Sequence, residues 1–177
     1  MTVRGVFVTG TDTGVGKTRV AVALIRALRG QGLRVAAMKP VSAGSAPGEL
    51  NEDVAALLQA SNVVADLCDV NPYAFAPAIA PHIAAHQAGM RIELDVIAGA
   101  YSRLAEASDV VVVEGAGGWC VPLNETEDTA DLAQRLGLPV VLVVGLRLGC
   151  LNHALLTAGS IVHRSLPWAG WVGNHVD

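Results

Sequence analysis

GTDTGVGKT, Gly10 to Thr18, lies between the aliphatic run Val3 to Thr9 and a segment of helical period that opens at Thr18. Strand, glycine-rich turn and helix in that order are the setting in which a chain wraps a phosphate. Glycines let consecutive backbone N–H groups turn inward around an anion at a helix N-terminus; Lys17 supplies a point charge to the terminal phosphates, and the Thr18 hydroxyl suits Mg²⁺. The spacing departs from the usual form, with one residue more between Gly10 and Gly16 and with Thr11 at the place of the first glycine. A chance Gly-Lys-Thr after a strand is the alternative. A dinucleotide fingerprint fits less well, because G-x-G-x-x-G counted from Gly14 puts Arg19 at the third glycine.

Outward from this loop, short apolar runs alternate with longer segments of helical period, which predicts an α/β domain whose mostly parallel sheet is covered on both faces. Strands are expected near Val3 to Thr9, Arg34 to Met38, Val110 to Val113, Val140 to Val144 and Ala169 to Val172. Helices are expected at about Thr18 to Arg29, Glu52 to Gln59, Leu94 to Glu106, Thr129 to Leu136 and Leu151 to His163. Gly30 and Gly137 stand where helix C-caps belong, and Pro139 blocks continuation. Val70 to Gly89, with three prolines, reads as a crossover loop with short helices. No repeat or linker divides the chain, so residues 1–177 form one domain.

The 177 residues are 52% hydrophobic and 16% charged, with a net charge of −4. A chain of that length and composition buries a full core without disulfides or a structural metal. No block of Lys or Arg supplies the footprint for a nucleic-acid backbone or an anionic membrane, and neither is an expected partner. The aliphatic runs are far shorter than the ~20 residues of a membrane helix. Cys68, Cys120 and Cys150 show no C-x-x-C spacing, which fits a reducing cytoplasm, with small buried hydrophobe as the default role of each. Trp119, Trp168 and Trp171 are isolated and read as core or interface residues.

Three further stretches carry chemistry. VVVVEGAGG, Val110 to Gly118, delivers Glu114 at the C-terminal end of a strand, where ligands of such sheets bind. With a loop threonine and phosphate oxygens, one or two carboxylates suffice for Mg²⁺. Glu114 fits that role, and capping the next turn is its alternative. Asp53, in LNED before a helix, is a second ligand candidate, although acidic residues favour a helix's first turn for dipole reasons alone. KPVSAG places Lys39 directly after a strand, at the same sheet edge, where a second cation would stabilise a transferring phosphoryl group or an anionic substrate. A solvated lysine is the plain reading. His82 and His86 have metal-pair spacing without a third ligand. GLRLGCLN, Gly145 to Asn152, leads from a strand into a helix whose N-terminus could hold a carboxylate.

Taken in order, GTDTGVGKT, KPVSAG, LNED, VNPYAFAPAIAPHI, VEGAGGW, VVGLRLGCLNHALLT and GWVGNHV resemble the dethiobiotin synthetases, ATP-dependent ligases of biotin synthesis. The likeness runs from about Val3 to Val176, and the lengthened loop is the family's own form. It implies a three-layer α/β/α P-loop NTPase fold, and a homodimer using ATP and Mg²⁺ on 7,8-diaminononanoate and CO₂. It assigns Gly14, Val15, Gly16, Lys17, Thr18 and Arg19 to the phosphates, and Thr18, Asp53 and Glu114 to Mg²⁺. Lys39 matches the family's active-site lysine, and Thr13 and Lys17 are expected beside the reacting carbamate and phosphoryl groups. Glu114, Gly115, Ala116 and Gly117 would flank the nucleotide, with Asn174 near the adenine and His175 next to it. Cys150 to Asn152 resembles the segment that a partner subunit offers to the substrate carboxylate.

The chain departs from the family in three places. Ala43 replaces a common Ser or Thr, with Ser42 one residue earlier; His175 replaces a common Asp; and the chain stops at Asp177, which predicts a form lacking the C-terminal elements usual in the family. Three other readings stay open: a nucleotide-switch ATPase, an amidotransferase-like ligase, and an inactive protein that keeps the fold. Thr11 and Asp12, in place of an early loop lysine, count against the first. The length leaves no room for the glutaminase domain of the second.

Overall fold

From Gly5 onward, strands and helices alternate: β1 (Gly5–Gly10), α1 (Lys17–Gly30), β2 (Val35–Met38), β3 (Val41–Ala43), α2 (Glu52–Ala60), α3 (Leu67–Val70), β4 (Tyr73–Phe75), α4 (Pro81–Gln87), α5 (Leu94–Ala107), β5 (Val110–Glu114), α6 (Thr129–Leu136), β6 (Val140–Leu146), α7 (Cys150–His163) and β7 (Trp168–His175). The structure is a computed structural model and describes residues 5–45 and 48–176. The first two residues of the strand expected from Val3, and Asp177, lie outside them.

Five strands form one parallel sheet in the order β2-β5-β1-β6-β7. Their aliphatic runs are continuous because both faces are buried, and the pleat sends successive side chains to opposite cores. Phe7, Val111, Val113 and Leu142 pack with Ile97 and Leu104 of α5, Leu132 of α6 and Ile161 of α7. Val8, Val112 and Val143 pack with Ala21 and Ile25 of α1 and Leu57 of α2. Helices therefore cover both faces, giving three layers, and each fully buried Ile or Leu contributes about 1.5–3 kcal/mol.

Several expectations need correction. Two three-residue strands, β3 shortly after β2 and β4 inside the supposed crossover loop, pair with each other in a separate small parallel sheet. Gly137 caps α6, but α1 runs through Gly30 and is capped by Gln31. Cys68 and Cys120 are exposed, outside both cores, and Cys150 is half-buried against the edge of the larger one. Trp119 is buried edge-on against Phe7, at a ring separation of 6.5 Å. Trp168 and Trp171 are exposed on the edge strand β7 and belong to neither core. Among the described residues no helix is long and apolar enough to cross a membrane.

Candidate active site

Parallel strands bring all their C-terminal ends to one edge, and β1 sits there between β5 and β6, where successive crossovers leave in opposite directions. That divergence opens a crevice for ligands. The register pairs Val8 with Glu114 and Met38 with Val113, so Glu114 and Lys39 leave neighbouring strands at nearly the same level.

β1 ends at Gly10, and the chain turns through residues 11–16 before α1 begins. Gly16, the N-cap, has φ 93°, a left-handed conformation that a side chain resists, and it offers no capping side chain to the N–H groups of the first turn. Those donors are left for an anion. Behind Gly16 stands Asn174 of β7, whose amide donates to the Val15 carbonyl at 2.9 Å. The Lys17 ammonium donates to the Asp12 carbonyl at 3.0 Å. The Asp12 carboxylate accepts from the Thr13 N–H at 2.8 Å and pairs with Arg147 at 2.5 Å, tying the loop to the turn before α7. Burial, with Lys39 nearby, brings the Lys17 pKa down from 10.5 to about 8, against the pull of Glu114, Asp53 and Asp12.

Thr18, Asp53 and Glu114 meet just beyond the loop. The Thr18 Oγ1 lies 2.7 Å from Asp53 Oδ1 and 2.9 Å from Glu114 Oε1. Asp53 is in the first turn of α2, fixed by the Asn51 cap, which accepts from the Asp53 and Val54 N–H groups. The Lys39 ammonium spans both acids, 2.9 Å from Asp53 Oδ2 and 2.6 Å from Glu114 Oε1. Burial works against the Asp53 charge, but Lys39 and the Thr18 hydroxyl hold its carboxyl below the usual range. Glu114 is fully buried, and among the described residues its Oε2 has no hydrogen-bond partner. Two carboxylates and a hydroxyl converging on one point, with a buried carboxylate oxygen left over, fit a small hard dication that completes its shell with water and phosphate.

Lys39 is itself held by its backbone. Its N–H donates to the Val70 carbonyl at 2.8 Å, and its own carbonyl accepts from the buried Asn71 amide at 2.6 Å. The Ser42 hydroxyl, one position before Ala43, donates to Asn71 Oδ1 at 2.8 Å.

A cavity of about 770 Å³ gathers Thr13, Gly14, Gly16, Lys17, Thr18, Arg19, Lys39, Asp53, Glu114, Ala116 and Gly117. Val15 is buried beneath the loop, Gly115 packs against Phe7, and Asn174 lies behind Gly16. His175 is exposed at the end of β7, while Cys150 and Asn152 occupy the first turn of α7, outside the cavity wall. His82 and His86 sit on α4, and among the described residues no group of three or more His, Cys, Asp or Glu is placed to hold a metal. Asp12 also lines the cavity, while Asn71 and Arg147 act on it through the Lys39 carbonyl and the Asp12 carboxylate; none of the three carries a spacing that marks it in the sequence.

Over residues 4–177 the chain matches a family model described as an AAA domain. It is 55% identical over 174 residues to the ATP-dependent dethiobiotin synthetase of Nitrosospira multiformis, covering 98% of this chain and 76% of that protein. The chain belongs to the dethiobiotin synthetase family. The enzyme of that name from Ralstonia nicotianae is 52% identical over 174 residues, covering 97% of this chain and 76% of that one. The fold reaches beyond dethiobiotin synthetases: the kinase domain of the Escherichia coli tyrosine kinase ETK superposes with a TM-score of 0.58 at 13% identity, covering 98% of this chain and 68% of that chain. At that identity the likeness is one of fold alone, the P-loop NTPase fold.

Proposed function

We propose that this chain is a ligase that closes the ureido ring of dethiobiotin from 7,8-diaminononanoate, CO₂ and ATP. The observation that carries the reading is the meeting of Lys17, Lys39, Thr18, Asp53 and Glu114 in one cavity at the mouth of an uncapped helix. One substrate amine takes up CO₂ as a carbamate. A carbamate oxygen attacks the γ-phosphorus of ATP, and ADP leaves. The second amine then attacks the carbonyl carbon of this mixed anhydride, closing the ring and expelling phosphate with the bridging oxygen. No group on the protein becomes covalently modified, so catalysis is positioning and charge neutralisation.

Each residue has a role in this reading. Gly14, Val15, Gly16, Lys17, Thr18 and Arg19 wrap the phosphates through backbone N–H groups and the Lys17 charge. Thr13 and Lys39 stand by the carbamate, where a preorganised cation typically contributes ~10²–10³ in rate. Thr18, Asp53 and Glu114 hold Mg²⁺, which when bound offsets phosphate charge. Gly115, Ala116 and Gly117 flank the nucleotide, with Asn174 and His175 toward its base. Cys150 and Asn152 serve the active site of the partner in a cytoplasmic homodimer. The exposed Leu151, Leu155 and Leu156 of α7, beside that segment, support a face that another subunit covers.

The test is phosphate release from ATP with Mg²⁺, with and without 7,8-diaminononanoate and bicarbonate. Release that requires both co-substrates is the expected result. Release indifferent to the diamine would mark a switch ATPase instead.

A further inference from the structure

We propose that Lys39 is the built-in counter-ion of the metal-free site: its ammonium sits between Asp53 and Glu114, the two carboxylates a divalent cation would need, and metal entry frees it toward the substrate cavity it already lines. This rests on the metal-binding reading of Thr18, Asp53 and Glu114 given above, and it assigns Lys39 a place in the cycle before any substrate is present.

Glu114 is fully buried and Lys39 only 5% exposed. A fully buried carboxylate beside a half-exposed one places two like charges at one point, and a cation between them offsets that charge. Lys39 supplies it, at 2.9 Å from Asp53 Oδ2 and 2.6 Å from Glu114 Oε1. The substitution is incomplete in two respects. The Thr18 hydroxyl has a single proton for the two acid oxygens within its reach. Glu114 Oε2 receives no donor among the described residues. An ammonium of charge +1 thus leaves acceptor capacity unused that a dication and its waters would fill. Because Lys39 already bonds both carboxylates, metal and ammonium compete for the same two side chains. The backbone of Lys39 is clamped at Val70 and Asn71, so exchange requires only side-chain rotation.

Competition makes a prediction opposite in sign to that for an ordinary helper residue. Mn²⁺ binding to the nucleotide-free protein, followed by electron paramagnetic resonance, is expected to tighten about tenfold or more in Lys39→Met, since each factor of ten corresponds to the modest free energy of one lost competitor. Lys39→Arg, which keeps the charge, is expected to bind no more tightly than wild type. Unchanged or weaker binding in Lys39→Met would overturn the proposal. Should Lys39→Met fold poorly, the wild-type protein supplies the second measurement: acylation of Lys39 by acetic anhydride, mapped by mass spectrometry, is expected to rise severalfold with saturating Mn²⁺. Constant or reduced acylation would equally overturn it. Neither measurement contains diamine or ATP, so a failure here is distinguishable from a failure of the ligase reading, which phosphate release decides.

Discussion

The Asn71 side-chain amide lies 2.6 Å from the carbonyl oxygen of Lys39 and also donates to the Tyr73 carbonyl at 3.2 Å. This buried asparagine joins the end of β2 to the start of β4 and fixes the peptide from which the Lys39 side chain departs. Asn71→Ala strands the Lys39 carbonyl and the Ser42 hydroxyl, at a cost of about 1–3 kcal/mol in stability. Its expected kinetic effect is a fall in kcat of roughly 10- to 100-fold, the scale of a misplaced reacting group. The KM for ATP, set by the phosphate loop, is expected to move far less. Steady-state kinetics on the folded variant check this, and an unchanged kcat would remove Asn71 from a positioning role.

Lys39→Ala separates nucleotide binding from chemistry. ATP contacts assigned to α1 and Lys17 remain, so affinity measured by calorimetry is expected to stay near the wild-type value. Turnover at saturating diamine is expected to fall ~10²–10³-fold, as for loss of one preorganised charge. Near-normal turnover would contradict the role given to Lys39.

Gly16→Ala attacks the loop twice. A Cβ there would lie 2.3 Å from Asn174 Nδ2, and the left-handed backbone is disfavoured by roughly 1–2 kcal/mol for any L-residue. ATP affinity is expected to drop at least about tenfold, which corresponds to ~1.4 kcal/mol. Adding Asn174→Ala removes the clash but not the backbone strain, so the double variant is expected to recover only part of the loss. Wild-type affinity in Gly16→Ala would show that the loop does not need its present shape.

Acid stability has a local handle at α6. Asp128 and Asp131 form a reciprocal cap, with N–H to carboxylate distances of 2.9 and 2.8 Å, and Arg164 at the end of α7 bonds Asp131. Burial opposes the Asp131 charge, but the Asp128 backbone N–H and Arg164 outweigh it and lower the pKa of Asp131. A depressed carboxyl stabilises the fold above its unfolded pKa of ~3.9 and loses that contribution as the pH falls through the lower folded value. Since the pair is partly solvent-screened, Asp131→Asn is expected to cost only about 0.5–1 kcal/mol at pH 7. Urea midpoints of the two proteins should differ at pH 7 and converge as the pH falls through the lowered folded value. A difference that stays equal throughout would contradict the assignment.

Much of this architecture can be read from the sequence because it follows from burial. The aliphatic runs at Val110 and Val140 leave no choice but strands covered on both faces, and the glycine loop marks where the edge of the sheet binds ligands. β3 and β4 escape such a reading: each is three residues long, prolines at 40, 72 and 77 break the period around them, and among the described residues they pair only with each other. Exposure of the cysteines depends on which helix face they occupy, which composition does not reveal. In the site, charged residues at strand ends and in the loop announce themselves by position. Asn71 does not, because it acts on the Lys39 and Tyr73 backbones and the Ser42 hydroxyl, and nothing in its spacing from Lys39 predicts that they meet. Arg147 and Asp12 are 135 positions apart and meet only because β6 lies beside β1.

On the proposed reading, the paired cations and acids serve phosphoryl transfer from ATP to a carbamate. Oxygen tracing tests it most directly, using ¹⁸O-labelled CO₂ in a single turnover, before exchange with water, and mass analysis of the phosphate released. One labelled oxygen is expected in that phosphate, carried over when the second amine expels it. Phosphate that takes its new oxygen from water instead would contradict that reading.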